Sequence, residues 1–286
     1  MSALDPAVDA LGSVPGEATH AGRARRWTRP LLDVGLPLAV FAAALLLWEL
    51  TVRVNAIPPY ILPAPSLVAA TLAKDWGMLS ASLVVTLRTT LLALALAVCG
   101  SVGLAGLFAQ SRIVERAFFP FAVILQVTPI VAIAPLLLIY LAPGTAVLVC
   151  AFLVAFFPIL SNTALGLASA DSNLVELMTL YRASRWQTLL RLRLPAALPY
   201  FLGGLRIGGG LALIGAIVAE IAAGSAGQGS GLAYRIVEAG FRLNIPRMFA
   251  ALALISVTGL GIYGALSWLS WALLHRWHDS ARKPGH

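Results

Sequence analysis

Charged residues make up only 11% of this 286-residue chain, so the few places where polar chemistry gathers stand out. The densest is the stretch from Glu176 to Pro195, which carries Arg182, Arg185, Arg191 and Arg193 among leucines and ends on Leu194-Pro195. A second set is thin and scattered: Gln126, Thr128, Asn162, Thr163 and Glu220, each inside an otherwise apolar run. Such groups can exchange hydrogen bonds with a passing solute, because polar side chains in apolar spans tend to face the bundle interior. Covalent chemistry has no apparatus here. The two lysines, Lys74 and Lys283, do not follow glycine, so there is no phosphate-binding G-x-x-x-x-G-K-[ST] loop. H-E-x-x-H, G-x-S-x-G and C-x-x-C are also missing, and Cys99 and Cys150 sit singly in apolar runs. No catalytic residue, metal site or cofactor is expected.

The 176–195 stretch offers recognition instead. Leu174, Leu177, Met178 and Tyr181 fall at helical spacing, as do Trp186, Leu189 and Leu190, with Ala183-Ser184 between the two sets. Ser184 is the expected cap of the second helix. Glu176 suits the positive end of the first, or a direct contact to a partner. Two short amphipathic helices, each tethered to an apolar run, make a knob that fits a groove on a soluble partner. An ordinary basic surface loop is the plainer alternative.

What must position these residues is a membrane bundle. The chain is 59% hydrophobic with mean hydropathy +0.88, where soluble domains average roughly 45–50% apolar and about 25% charged residues. No basic run with interleaved aromatics occurs outside the loops, so the net charge of +8 argues for positive-inside topology rather than nucleic acid. Residues 1–30 read as a disordered basic tail, 31–275 as the transmembrane domain with the knob at 169–195, and 276–286 as a second tail.

Six spans are expected, near 31–54, 83–109, 117–141, 145–168, 198–223 and 248–274. Prolines 58 to 65 predict an extended segment after the first, with Ser66 capping a short helix to about Trp76. Gly100, Gly103 and Gly106 suggest a smooth packing face. Pro120, Pro129 and Pro135 predict kinks in the third span beside Gln126 and Thr128. Glu220 stands near the end of the fifth span, as a gate or as an interfacial carboxylate. Asn162 either lines a path or bonds a carbonyl freed by Pro158. Phe156 and Phe157 suit packing, and Trp268, Trp271 and Trp277 suit an interfacial belt. Placing both termini and the knob on one side puts thirteen basic residues there and six on the other, Arg53, Lys74, Arg88, Arg235, Arg242 and Arg247. That side is expected to be cytoplasmic.

The knob resembles the "EAA" coupling loop of ABC-importer permeases at Glu176, Ala183 to Gln187, Leu194 to Pro199 and Gly204-Leu205-Arg206. It departs where the motif has two alanines (Leu177 and Met178) and a turn glycine (Arg182). Leu62-Pro-Ala-Pro-Ser66, Phe156-Phe-Pro-Ile159 and Ala219-Glu220 before a Gly-rich loop extend the resemblance from about Ile61 to Trp271. The likeness is to the nitrate/sulfonate/taurine branch and its relatives that import pyrimidine thiamine precursors. It implies an all-α integral membrane protein of the type I importer fold in the bacterial inner membrane. It also implies a second permease copy, a cytoplasmic ATPase dimer and an external solute-binding protein. Glu176, Ala183, Ser184, Arg185 and Trp186 would contact the ATPase. An ATP-independent channel or secondary transporter is the competing class, although no internal repeat is visible.

Overall fold

The computed structural model describes residues 21–224 and 230–275, with side chains from residue 35 onward. Much of both expected tails and most of the Gly-rich segment after Gly224 therefore lie outside the described residues. Among those described, every regular element is helical. Two units form. In the first, residues 1–57, the described part holds one helix, α1 (Ala21–Val54), which starts upstream of the expected Leu31. Its apolar part, Gly35–Val54, is long enough to cross a bilayer. Arg53 pairs with Glu49 one turn earlier at 2.5 Å.

The second unit, residues 58–286, holds the rest. In order these are α2 (Pro65–Lys74), α3 (Trp76–Gln110), α4 (Arg112–Val127), α5 (Ile130–Tyr140) and α6 (Pro143–Ala168). After α7 (Ser172–Leu180) and α8 (Arg185–Thr188), a π-helical turn (Leu189–Arg193) leads into α9 (Leu194–Ala223). The chain then forms α10 (Leu232–Phe241) and α11 (Ile245–Leu274). Among the described residues five helices are long and apolar enough to span, and a sixth span arises if α4 and α5 count together.

Three local expectations change. The first part of the proline segment is a turn rather than extended, because Ile61 and Leu62 both donate their N–H to Pro58 O, while Ala64 is extended as expected. Ser66 does not cap α2. Pro65 occupies its first turn, where a missing N–H costs nothing and a fixed φ is already helical, so the cap falls on Ala64. The third span is not one kinked helix: α4 and α5 meet at 99°. Only Pro129 breaks it. Pro129 forces Thr128 into an extended conformation (φ −73°, ψ 123°), which ends α4. Pro120 and Pro135 sit inside their helices. At about 1.5 Å per residue neither half alone crosses a ~30 Å core.

The tightest packing lies between α6 and α9, which run antiparallel. A Cβ on Gly166 would stand 2.8 Å from Ala197 Cα, and one on Gly215 would stand 2.9 Å from Ala151 Cα. Between them Gly204 lies against Asn162 and Pro158 O, and Gly208 against Ile159 and Ala155 O. Gly204, Gly208 and Gly215 repeat at four and seven, so they stay on one helical face with buried Ala212. The predicted face at Gly100, Gly103 and Gly106 fails for the same geometric reason. A spacing of three drifts around the helix, and only Gly100 meets a neighbour, the Phe156 ring at 3.2 Å. Phe156 also lies beside Phe152, with its carbonyl accepting from Ser101 Oγ at 2.8 Å, so the Phe-Phe-Pro-Ile segment is packing.

At the end of the bundle where α10 lies, charges are paired. Arg247 of α11 donates to Asp75 between α2 and α3 at 2.6 Å. Glu238 of α10 binds Arg235 and Arg242, and its bond from Arg235 holds its carboxyl below the ordinary range.

Gly208→Leu is expected to force α6 from α9 and to cost about 1–3 kcal/mol of stability. Gly203→Ala, with open space at its Cβ, is expected to be neutral or to gain up to about 1 kcal/mol from helix propensity. Thermal unfolding of the two variants in detergent checks the contrast.

Candidate coupling and translocation site

The 169–195 stretch forms a hairpin whose ends are defined by backbone chemistry. Asp171 starts α7 by accepting the Asn173 N–H at 2.8 Å. Glu176 therefore stands in mid-helix, exposed, and does not serve the N-terminus as expected. α7 ends in a double hydrogen-bonded turn. Ala183 N–H reaches Met178 O and Arg182 N–H reaches Thr179 O, both at 2.9 Å. This is the Schellman arrangement, whose C′ residue must be left-handed. Arg182 takes that position at φ 53°. A non-glycine there costs about 1–2 kcal/mol, yet Arg182 holds the left-handed position.

Ser184 opens α8 as expected, and its partner is Gln187, which the sequence reading leaves out of the cap. Ser184 Oγ accepts the Gln187 N–H at 3.2 Å, while Gln187 Oε1 accepts the Ser184 N–H at 2.7 Å. The S-x-x-Q spacing of this capping box is visible in the chain. The path of the backbone beyond Thr188 is not. α8 is no free second helix: the apolar segment Arg185–Ala223 runs 39 residues through the π-helical turn into α9. Pro195 explains the wide turn, since it cannot donate to Arg191 O and its ring would strike that carbonyl in an α-helix. Leu194 N–H bonds Leu189 O instead. Such π-turns often mark functional positions.

The hairpin presents an apolar tip. Leu180 is 80% exposed, Tyr181 78% and Trp186 64%, and α7 buries no residue at all. Its base is tied down. Leu189 is buried in the cluster of Phe108, Leu160 and Leu167, and Arg193 Nη1 donates to Ala109 O at 3.1 Å. The result is an exposed tip on an anchored stem continuous with α9.

The polar residues of the spans do not converge. Gln126 is exposed and Thr128 half-buried beside the 99° bend, with Thr128 Oγ1 donating to Ile124 O at 2.7 Å. Asn162 is half-buried at the α6–α9 seam and donates to Pro158 O at 2.8 Å. The carbonyl that Pro158 deprives of a partner is that of Val154, so the expected repair is not the bond made. Thr163 is buried and donates to Ile159 O. Arg206, which the sequence offers only as part of a motif, is half-buried in α9 and makes no hydrogen bond or ion pair among the described residues.

Glu220 is 6% exposed and joins three helices. Thr86 of α3 donates its hydroxyl to Glu220 Oε1 at 2.8 Å and accepts the Leu232 N–H at 2.9 Å. Glu220 Oε2 accepts the Ala233 N–H at 3.1 Å. Leu232 and Ala233 open α10, so the carboxylate and the hydroxyl satisfy two N–H groups that a helix start leaves unpaired. Gly231 packs against the carboxylate so closely that any Cβ would displace it.

A family model described as "Binding-protein-dependent transport system inner membrane component" matches residues 97–275. Among relatives, the riboflavin transport system permease protein RibX of Chloroflexus aurantiacus is 35% identical, over 86% of this chain and 91% of its own. The formylaminopyrimidine transport permease protein ThiX of Halalkalibacterium halodurans is 32% identical, over 83% and 94%. The putative aliphatic sulfonates transport permease protein SsuC of Bacillus subtilis is 28% identical, over 88% and 90%. A solved amino acid ABC transporter crystallised with histidines shares the fold, at TM-score 0.57 and 19% identity over 70% of this chain and 96% of that one.

Glu220→Ala is expected to cost about 1–3 kcal/mol by leaving α10 donors unsatisfied, and to make residues 230–241 more sensitive to protease. Equal melting temperatures and digestion rates for variant and parent would remove this role. Arg182→Gly is expected to raise stability by about 1 kcal/mol through relief of the left-handed turn, which denaturation of the same preparation reads.

Proposed function

We propose, since this chain belongs to the binding-protein-dependent transport system inner membrane component family, that it forms the translocation pathway of an ATP-driven importer of a small solute. As a multi-pass ABC transporter permease it is a transport component. The finer reading adds a separate cytoplasmic ATPase dimer seated on the α7–α8 hairpin, an external solute-binding protein and a second copy of this chain. Both termini and the hairpin are cytoplasmic in this scheme, in keeping with the basic residues gathered at 111–116 and 182–193.

The observation that carries the reading is the hairpin itself. An apolar tip formed by Leu180, Tyr181 and Trp186 stands exposed outside the spans, where a partner groove can take it. Ala183 and Ser184 fix the turn, and Glu176 and Arg185 supply exposed charges on either side. Because α8 is continuous with α9, rigid-body motion of the docked tip moves a span directly, which is how binding work becomes alternating access.

Gln126, Thr128 and Asn162 remain as pathway groups, joined by Arg206, since an unpaired intramembrane cation calls for a wet or partnered surface. Thr163 and Glu220 act by holding helices in place. Either a pyrimidine-type or a sulfonate, taurine or nitrate-like solute fits the family. Two of the relatives above 30% identity are named for riboflavin and formylaminopyrimidine, which favours a nitrogen heterocycle.

Glu176→Ala and Arg185→Glu are expected to insert normally and to lose at least tenfold in ATP-driven uptake when reconstituted with ATPase and binding protein. Uptake unchanged in both, or uptake that proceeds without any ATPase, overturns the coupling role and favours an ATP-independent carrier.

A further inference from the structure

A cavity of about 620 Å³ opens beside the hairpin, between the end of α3, the start of α4, the end of α6 and the starts of α7 and α8. Its lining divides in two. Phe108, Ala164, Leu167 and Ala168 make an apolar floor, and Arg112, Arg185 and Arg193 stand in the polar part with Glu115 as the one acid. None of the three guanidiniums has a carboxylate partner among the described residues, in contrast to Arg235, Arg242 and Arg247 at the α10 end. Arg193 is fixed in place through its bond to Ala109 O. The start of α4 lines the same space. Ser111 Oγ takes the Val114 N–H at 3.4 Å, and the N–H groups of Arg112 and Ile113 have no acceptor among the described residues.

We infer that this cavity binds a phosphate group carried on an apolar chain, as an acidic phospholipid presents it. Unpaired arginines and a helix start select an anion, and phosphate matches the guanidinium fork. The floor and the volume select more than a bare ion, since cavities of roughly 300–1,000 Å³ hold whole small molecules. The position selects a lipid: the arginines sit where α3, α6 and α9 pass from apolar to polar sequence, and basic pockets between spans at such a boundary take acidic headgroups. The ligand bridges the α3–α4 corner to the stem of the hairpin, where Gln110 Nε2 already reaches Arg185 O at 3.5 Å. Occupancy therefore braces the lever against the bundle, whichever solute is carried.

The test uses full-length protein purified in neutral detergent and read by native mass spectrometry during titration with phosphatidylglycerol, with phosphatidylcholine as the uncharged control. The parent protein is expected to prefer phosphatidylglycerol at least tenfold. Arg112→Gln, at an exposed side chain with no hydrogen bond or ion pair among the described residues, is expected to weaken that lipid several-fold, and Arg112→Gln with Arg193→Gln to abolish the preference. Ala168→Phe fills the floor and is expected to block the lipid while leaving all arginines in place. Melting temperatures in phosphatidylcholine report whether each variant is folded. Glycerol 3-phosphate and inorganic phosphate, at millimolar concentration, separate headgroup from chain. Competition by either as effective as the lipid itself overturns the apolar floor's part. Equal phosphatidylglycerol binding by the parent and the folded Arg112→Gln and Ala168→Phe variants overturns the site.

Discussion

The α6–α9 seam is the constraint on which the rest depends. Inside a bilayer, helices gain nothing by hiding apolar surface from one another, because lipid is equally apolar. Close packing has to supply the association, and only missing side chains let two backbones come close enough. Gly166, Gly204, Gly208 and Gly215 provide that approach along the length of the pair. α9 is the helix that the hairpin continues into, so under the proposed coupling the element that receives force is also the one most firmly held against its neighbour. A loosely packed α9 would dissipate a push at its end. This one transfers it to α6.

Two polar devices finish α9 at opposite ends, and they differ in kind. At the hairpin end the capping box and Schellman turn use backbone and exposed side chains, so they define a shape while leaving Leu180, Tyr181 and Trp186 exposed. At the other end, Glu220 and Thr86 are buried and spend their hydrogen bonds on the first turn of α10. Removing water makes each of those bonds costly to break. The α10 segment is therefore bound to α3 and α9 as one piece, and displacement of α9 carries α10 with it.

Much of this is legible in the chain. Composition and the apolar runs dictate a membrane bundle, the motif at 176–195 places the hairpin, and Ser184 is a recognisable cap for α8. Two of the misses share one cause, which is that they turn on the residues packed opposite. Three-residue glycine spacing at 100–106 looks like a packing face, but only a partner helix shows that the four-and-seven pattern in α9 is the one used. Glu220 reads as a gate or an interfacial acid because its partners, Thr86 and Ala233, come from other stretches of the chain. The continuity of α8 with α9 is hidden by Pro195, normally a sign of a boundary, because a π-turn absorbs the clash.

The bend between α4 and α5 brings these elements to a point of mechanism. A 99° corner leaves carbonyls without helical donors, and bare backbone at membrane depth is tolerated only against protein or water. At the corner Thr128 Oγ1 turns back to Ile124 O, which the Thr128 N–H already serves, while Gln126 is left exposed with amide groups to offer. α5 packs through Ile130 and Ala134 onto Ala151 and Ala216, so the corner rests on the same α6–α9 pair that the hairpin would drive in the proposed scheme. Motion of α9 in that scheme would have two consequences, a shift of α10 at one end and a change in what the corner faces. A pathway whose polar groups sit at that corner would open and close with α9 without any helix having to unfold.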